Sequence, residues 1–494
     1  MRKQNSWKCF ISLAIGAALL FQASLSVAAE TVRISGRERQ ELARGAVTGD
    51  DGDALANGFI IKDGILKKYM GVAKKVVIPK GVIAIGEEAF AEQMLTEVII
   101  PQGVTSIGEG AFSECEGLEE IVIPEGVTSI GKQAFSYCTS LKKIILPQSM
   151  ISIENEAFLK CGNLSGIKIP KNVAKIGRRV FEQCGRLSKL KVDAGNSNYY
   201  SKNNMLFDRK KSLICCPCGK SGNIRIPKGV TSIGPEAFAY CTKLENIVIP
   251  GSVKTIGKQA FYLSELKSIT MQQGVKSIKT EAFHGCELDR IRLPKSLKSI
   301  GPGAFNSCKL GSTLTIPKGL KTISADAFCE SSLKGIVIPD SVTRIEEGAF
   351  RFCNLRKIVI PDSVTKIGEG AFYCCYRLRS VKLPCNLKKI EKETFYECKN
   401  LKSIVIPGKV KSIGGWAFAY TGLKSMVLPE GIKKITSCIF IGCKNLESIT
   451  IPGSVKKIDS WMFDDCSKRL VIHGKKGSYA EMFAKKEKIT FSEM

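Results

Sequence analysis

The sequence predicts a repeat solenoid of about sixteen coils, each of 22–23 residues, built from short β-strands and tight helical turns. Three observations predict it. First, the line LEEIVIPEGVTSIGKQAFSYC, from Leu118 to Cys138, returns as LENIVIPGSVKTIGKQAF from Leu244, as LRKIVIPDSVTKIGEGAFYCC from Leu355 and as LKSIVIPGKVKSIGGWAF from Leu401. Second, a proline recurs in step from Pro79 to Pro452, with Gln272 taking its place once. Third, a phenylalanine recurs sixteen times from Phe90 to Phe463. A fixed period of this length is the signature of stacked supersecondary units.

The elements follow in order along the chain. Residues 1–29 read as an export signal: Arg2, Lys3 and Lys8 precede an apolar run from Cys9 to Phe21, and small residues at Ser26-Val27-Ala28-Ala29 offer a cleavage point before Glu30. The apolar run is short for a membrane span of roughly 20 residues, and no later stretch is long enough to be one. Residues 30–57, polar and rich in Gly and Asp, read as a flexible lead. Residues 58–189 hold an N-terminal cap and the first five coils. In the cap, Phe59-Ile60-Ile61-Lys62-Asp63-Gly64-Ile65-Leu66 reads as a hairpin with Asp-Gly at its turn.

The coil itself is L-x-x-I-x-I-P-x-x-V-x-x-I-G-x-x-A-F-x-x-C. Its opening alternates apolar and polar residues, so it is a short strand with one face inward. Proline ends that strand because it has no N–H to give to a ladder. V-x-x-I makes a second short extended piece, glycine turns the corner, and A-F-x-x-C fits one tight turn with its Phe in the core. No coil can bury these residues alone, so neighbours must stack and the core runs the length of the body. At roughly 4.8 Å per coil that body is about 75 Å long.

The period breaks once, between Pro170 and Pro227. Residues 190–226 read as an irregular structural coil, with a binding loop as the competing reading. Residues 227–469 carry coils six to sixteen. Residues 470–494 form a C-terminal cap: a strand at Leu470-Val471-Ile472, then a closing helix over Gly477–Ala484.

This pattern resembles the BspA-like leucine-rich repeat family, in which P-x-x-V-x-x-I-G-x-x-A-F follows the leucine strand. The resemblance runs from about Phe59 to the end. It implies a curved leucine-rich repeat solenoid, export to the surface or medium, and adhesion-type binding of protein or matrix. It fixes no binding residue and no reaction.

Charge distributes unevenly over this frame. Net charge is +28, which favours anionic partners and says nothing of fold. The two variable residues of V-x-x-I are neutral in most early coils (Thr105-Ser106, Thr128-Ser129), with Lys175 the first exception. From the seventh coil every rung carries a cation: Lys254, Lys276, Lys298, Lys321, Arg344, Lys366, Lys388, Lys389, Lys411, Lys433, Lys434, Lys456 and Lys457. In-register stacking makes these a basic stripe, the candidate site for an anionic partner. The competing reading is a solvated face whose lysines discourage strand pairing and aggregation. The polar positions of L-x-x-I-x-I mix signs, as in Glu119-Glu120, Lys142-Lys143, Asp289-Arg290 and Lys402-Ser403. That strand face is the second candidate surface.

Twelve of the 20 cysteines stand three residues after the repeat Phe. They read as a ladder of small buried side chains, largely free thiols because a shared inward direction does not orient neighbours for bridging. Gln93, Ser264, Ser331 and Thr421 replace them, which places the position at the edge of the core. Cys215-Cys216-Pro217-Cys218 lacks a second ligand pair for a metal.

With two histidines, His284 and His473, and no nucleophile or phosphate-loop motif, the chain has little for catalysis. It calls for no cofactor. The reading is a non-catalytic exported binding protein whose partner is an extracellular protein or an anionic glycan or matrix. A structural surface-layer component is the alternative. Nucleic acid is disfavoured by export and by the lack of aromatic side chains along the stripe.

Overall fold

The computed structural model describes residues 54–56, 58–435 and 438–494. The export-signal reading of 1–29 and most of the lead lie outside these. Ala54–Ala56 is not loose lead, however: it is a strand paired antiparallel with Phe59–Lys62. The cap hairpin follows, Phe59–Lys62 against Ile65–Tyr69, turning on Asp63 and Gly64, both with positive φ. Asp-Gly suits this turn because both central residues must be left-handed.

Each coil then contributes one residue set to two parallel sheets. The leucine strands stack as Lys75–Val77, Glu97–Ile99, Glu120–Val122 and Lys143–Ile145, with Val76, Val98, Ile121 and Ile144 inward. The two-residue V-x-x-I rungs pair just as regularly, Ala84 with Ser106, Ser106 with Ser129, Ser129 with Ser152. The in-register repeat places identical residues opposite one another, so the pairing of one coil dictates that of the next.

The A-F-x-x-C segment closes the coil with hydrogen bonds from N–H(i) to C=O(i−3), such as Gln93 to Phe90 and Cys138 to Phe135. It does not extend into a helix, because the residue before the Ala and the second residue after the Phe take positive φ in coil after coil: Glu88 and Glu92, Gln133 and Tyr137, Glu156 and Lys160. Left-handed residues turn their amides along the solenoid axis, which gives a third coil-to-coil ladder. The Phe90 N–H donates to the Ala111 carbonyl at 2.8 Å, and Phe112 to Ala134 at 2.7 Å. Inside this ladder the rings stack nearly parallel, with centroids 5.0 Å apart for Phe90–Phe112 and 5.3 Å for Phe283–Phe305.

The cysteine ladder is buried and its described thiols are free. Each thiol has a definite job: Cys115 donates to the Phe90 carbonyl at 3.0 Å, Cys308 to Phe283 at 2.8 Å and Cys353 to Phe328 at 2.9 Å. This corrects the placement of Ser264, Ser331 and Thr421 at the core edge, while Gln93 in the first coil is half-buried. Ser264 and Ser331 are 0% exposed and Thr421 is 3% exposed. The hydroxyls are fully inside, where the Thr421 O–H donates to the Phe418 carbonyl at 2.8 Å and the Ser331 Oγ lies 3.4 Å from the Cys353 Sγ. What the position selects is a small hydrogen-bonding side chain, and a thiol is one version of it.

The buried apolar side chains also do not form one run. They form two contiguous clusters, Phe59 to Leu190 and Met205 to Ala484. The irregular stretch makes the seam. Lys189–Val192 is still a leucine strand paired with Gly166–Ile169. A meander of Tyr199–Lys202, Met205–Asp208 and Ser212–Cys215 follows, and its last strand supplies a rung that pairs Ser212 with Ser232. Leu206 packs into the N-terminal cluster while Met205 and Phe207 pack into the C-terminal one. Cys216 stands where the ring would be: its N–H donates to Ala237 at 2.7 Å, the bond that the repeat Phe makes elsewhere. With no ring there, the phenylalanine stack stops at Phe181 and resumes at Phe238. Asn196 anchors the meander, donating to the Pro170 and Val173 carbonyls at 2.9 Å each and accepting from the Asn198 and Tyr199 amides.

At the far end the strand Val471–Gly474, the helix Tyr479–Lys486 and a final strand Thr490–Glu493 cover the last coil. Phe483 and Ala484 of the helix enter the core beside Phe463. The closing strand, paired parallel with Val471–Gly474, carries no repeat motif.

Candidate binding surfaces

The rung sheet places the stripe. All thirteen of its cations are exposed. They form two adjacent columns. In the first, backbone bonds tie one coil to the next: the Lys276 N–H donates to the Lys254 carbonyl and the Lys298 N–H to Lys276, both at 2.8 Å. Lys411 donates to Lys388 and Lys456 to Lys433 in the same way, at 2.9 Å each. In the second column Arg344 pairs with Lys366 and Lys434 with Lys457, Cα against Cα. Cations on neighbouring coils therefore start about 4.8 Å apart, as the sequence register requires.

The columns differ in how their charge is used. In the second, an acid two residues on draws some cations aside: Arg344 meets Glu346 at 4.0 Å, Lys389 meets Glu391 at 2.5 Å and Lys457 meets Asp459 at 3.7 Å. Glu391 and Asp459 stand in the corner position that glycine fills in most coils. The lone early cation, Lys175, is likewise held by Glu154 at 2.8 Å. In the first column none of Lys254, Lys276, Lys298, Lys321, Lys388, Lys411, Lys433 and Lys456 makes an ion pair among the described residues. At most their ammonium groups reach carbonyls, Lys254 that of Gly251 and Lys411 that of Glu430.

The strand sheet carries a second set of outward side chains. In its N-terminal part acids and bases answer each other across coils: Lys75 with Glu97 at 2.9 Å, Lys142 with Glu119 at 2.8 Å and Lys143 with Glu120 at 3.9 Å. Farther on the signs cease to mix. The residue after the leucine is Lys334, Arg356, Arg379, Lys402 and Lys424 in five successive coils, every one exposed. Reading a few coils of this face as mixed missed that column; following one position coil by coil finds it. Beside it an open groove of about 830 Å³ is lined by Lys334, Val337, Arg356, Val359 and Lys382 on one side and by the Pro361-Asp362-Ser363 turn on the other. Two acids, Asp340 and Asp362, also line it; the Cys385 N–H donates to Asp362 at 2.7 Å and holds that carboxyl below the usual carboxylate range, so this one already serves the backbone.

Other chemistry-bearing groups are spent on packing. Burial pushes the Cys115, Cys286 and Cys353 thiols up to about 12, and a protonated, enclosed thiol is a poor nucleophile or ligand. Cys218 and Cys241 lie 3.5 Å apart at the seam, but no group of three or more His, Cys, Asp or Glu among the described residues is arranged to hold a metal ion. His284 stacks on Tyr262 at 4.8 Å, and burial lowers its pKa. No helix among the described residues is long and apolar enough to cross a membrane.

The profile of the BspA type leucine rich repeat region matches this chain at residues 68–213, 231–356 and 343–470. Among solved structures, the chain is similar to a leucine-rich repeat protein from Eubacterium ventriosum, with 26% identity, 73% of this chain and 88% of that one covered, and a TM-score of 0.44. A leucine-rich repeat protein from Bacteroides ovatus has 25% identity over 91% of this chain and 97% of its own, with a TM-score of 0.42. A leucine rich cell surface protein from Faecalibacterium prausnitzii has 21% identity over 88% and 98%, with a TM-score of 0.31. Among curated proteins none matches.

Proposed function

This chain belongs to the BspA-type leucine-rich repeat family, and we propose that it is an exported, surface-displayed binding protein of the adhesion type, with no catalysis of its own. The basic stripe is its contact for an anionic extracellular surface. The observation that carries this reading is the first rung column: eight lysines on one face, in two rows of four separated by Thr343 and Thr365, none of them neutralised by a neighbouring acid among the described residues. Unpaired cations in a row raise the local concentration of anions and speed their capture, with a dependence on salt.

The fold has no need of these lysines. Thr105 and Thr128 hold the equivalent place in early coils, and the Thr128 N–H donates to Thr105 at 2.8 Å, as Lys276 does to Lys254. Rungs such as Thr255–Ile256 and Ser277–Ile278 are paired on both sides, so Lys254 and Lys276 beside them guard no free edge. Export rests on the basic, apolar and small-residue succession of residues 1–29. Enclosed thiols suit the same reading, because a packed ladder needs no disulfide to hold it.

The test is retention on heparin, a sulfated glycan. Replacing Lys388, Lys411, Lys433 and Lys456 by Ser should lower the salt needed for elution and flatten the salt dependence of binding. Elution unchanged from the parent would end the stripe's role. N-terminal sequencing of the secreted protein should begin at Glu30; a chain retained in the cytoplasm would remove the export reading.

A further inference from the structure

The strand-face column at Lys334, Arg356, Arg379, Lys402 and Lys424 lies on the other sheet and shares no residue with the stripe. Backbone bonds tie it in two runs: the Arg356 N–H donates to Lys334 at 3.4 Å and Arg379 to Arg356 at 2.8 Å, and Lys424 donates to Lys402 at 3.1 Å. It is also bounded. Ser312 precedes it, and Glu447, whose N–H donates to the Lys424 carbonyl at 2.9 Å, ends it. None of the five cations makes an ion pair among the described residues. The N-terminal part of the same face supplies an internal comparison: there the fold cancels its own charges, coil against coil. Here it leaves them uncancelled.

An apolar column runs beside the basic one. Val337, Val359, Val405 and Val427 are 52, 47, 84 and 65% exposed, with Lys382 interrupting the row. Side chains of this kind in a line are not scattered surface residues; each stands between the two inward apolar residues of its coil, and Val337, Val359 and Val427 each end a strand. A sulfated or phosphorylated glycan would satisfy the cations and leave the valines wet. A polypeptide with both acidic and apolar side chains satisfies both columns, because burying the valines adds to the electrostatic attraction.

We propose that this face docks an extended acidic polypeptide segment that carries apolar side chains between its carboxylates, seated along the groove beside Val337 and Val359. Five coils at about 4.8 Å span roughly 19 Å from first to last, the length of about six extended residues at ~3.3 Å each. This goes beyond the stripe reading and does not depend on it.

The experiment uses the secreted chain and fluorescence anisotropy with two labelled probe peptides, (Glu-Leu)4 and (Glu-Ser)4, and a heparin fragment as competitor. (Glu-Leu)4 should bind at least ten-fold tighter than (Glu-Ser)4. The variant K334S/R356S/R379S/K402S/K424S should lose at least ten-fold for (Glu-Leu)4. V405S/V427S should lose several-fold for (Glu-Leu)4 and leave (Glu-Ser)4 unchanged. The stripe variant of the heparin test should bind (Glu-Leu)4 as the parent does, so the two surfaces fail or stand separately. Should the five-fold variant not fold by circular dichroism, R379E alone should lose at least three-fold. Equal binding of the two peptides, displacement by heparin with no dependence on the valines, no binding of (Glu-Leu)4, or unchanged affinity in R379E would each overturn the proposal.

Discussion

Replacing Cys308 separates the two things a ladder cysteine does. Its side chain is 1% exposed, and its Sγ donates to the Phe283 carbonyl at 2.8 Å. That carbonyl also receives the Cys286 N–H at 3.2 Å, so it is not stranded when the thiol goes. Cys308→Ala removes the sulfur from a packed site and the second bond to the carbonyl. The lost contacts cost about 1 kcal/mol and the lost bond about 1 kcal/mol more, about 2 kcal/mol together. Cys308→Ser keeps a donor on the same carbon and should cost about 1 kcal/mol or less. The exposed Cys385 is the control, with Cys385→Ala staying within about 0.5 kcal/mol. Urea unfolding followed by tryptophan fluorescence reads the difference, because Trp416 and Trp461 both lie in the C-terminal coils with Cys308. Repeat arrays lose cooperativity when long, so the comparison is made on the transition those tryptophans report. Serine as costly as alanine, or alanine without cost, would refute the hydrogen-bonding role of the ladder.

Two further outcomes follow from buried polar groups. Burial raises the Cys115, Cys286 and Cys353 thiols to about 12, against about 8.5 in an unfolded chain. Between those values the folded state keeps a proton that the unfolded state gives up, so stability is whole below about pH 8.5 and falls as pH rises towards 12, by up to ~1.4 kcal/mol per unit for each thiol. A urea midpoint that holds or rises from pH 8.5 to 11 would contradict this. At the seam, Asn196→Asp turns two donors towards the Pro170 and Val173 carbonyls into acceptors; it should cost about 3 kcal/mol at pH 7 and less at pH 4, where a protonated carboxyl regains one donor. Equal destabilisation at both pH values, seen in melting curves, would count against that account.

The coil was legible because its signals are local and redundant. Proline at 79 and every equivalent place stops a strand, alternation sets the inward face, and the Asp63-Gly64 turn announces the cap hairpin. The left-handed residues were not legible. Positive φ usually advertises itself through glycine, yet here Glu88, Gln133, Glu156 and Glu393 adopt it, held by amides that bond to the next coil. The hydroxyls of Ser264 and Ser331 were misread for a related reason: polarity looks like exposure until the buried thiol partners, Cys286 and Cys353, are seen. Residues 190–226 gave no period to follow, so the substitution of Cys216 for a ring, and the division of the core, appear only in three dimensions. Of the two basic surfaces, the stripe could be read because its cations alternate with invariant Val and Ile. The strand-face column hid among positions whose signs mix in earlier coils.

Both surfaces occupy the same C-terminal run of coils, and that coincidence bears on why the charge is there. In a solenoid each coil touches only its neighbours, so a cation stacked on a cation is an unfavourable contact repeated down the body. Most early coils avoid it on both sheets; where Lys168 faces Lys191, Asp193 holds the former at 3.1 Å. On the rung sheet they place Ser and Thr at the same positions, with Ser106 paired to Ser129; on the strand sheet they pair Lys75 with Glu97 and Lys142 with Glu119. The same N–H to C=O bond joins coils under either solution, Thr128 to Thr105 and Lys276 to Lys254 at 2.8 Å each, so that bond does not distinguish them. General solubility does not distinguish them either, since scattered charge of either sign supplies it. What stacked, unpaired cations supply and alternating ones do not is a field of one sign along a line. A partner that is itself extended and anionic is the object that such a line would attract, and the valines beside one line and not the other would let the two proposed surfaces choose differently.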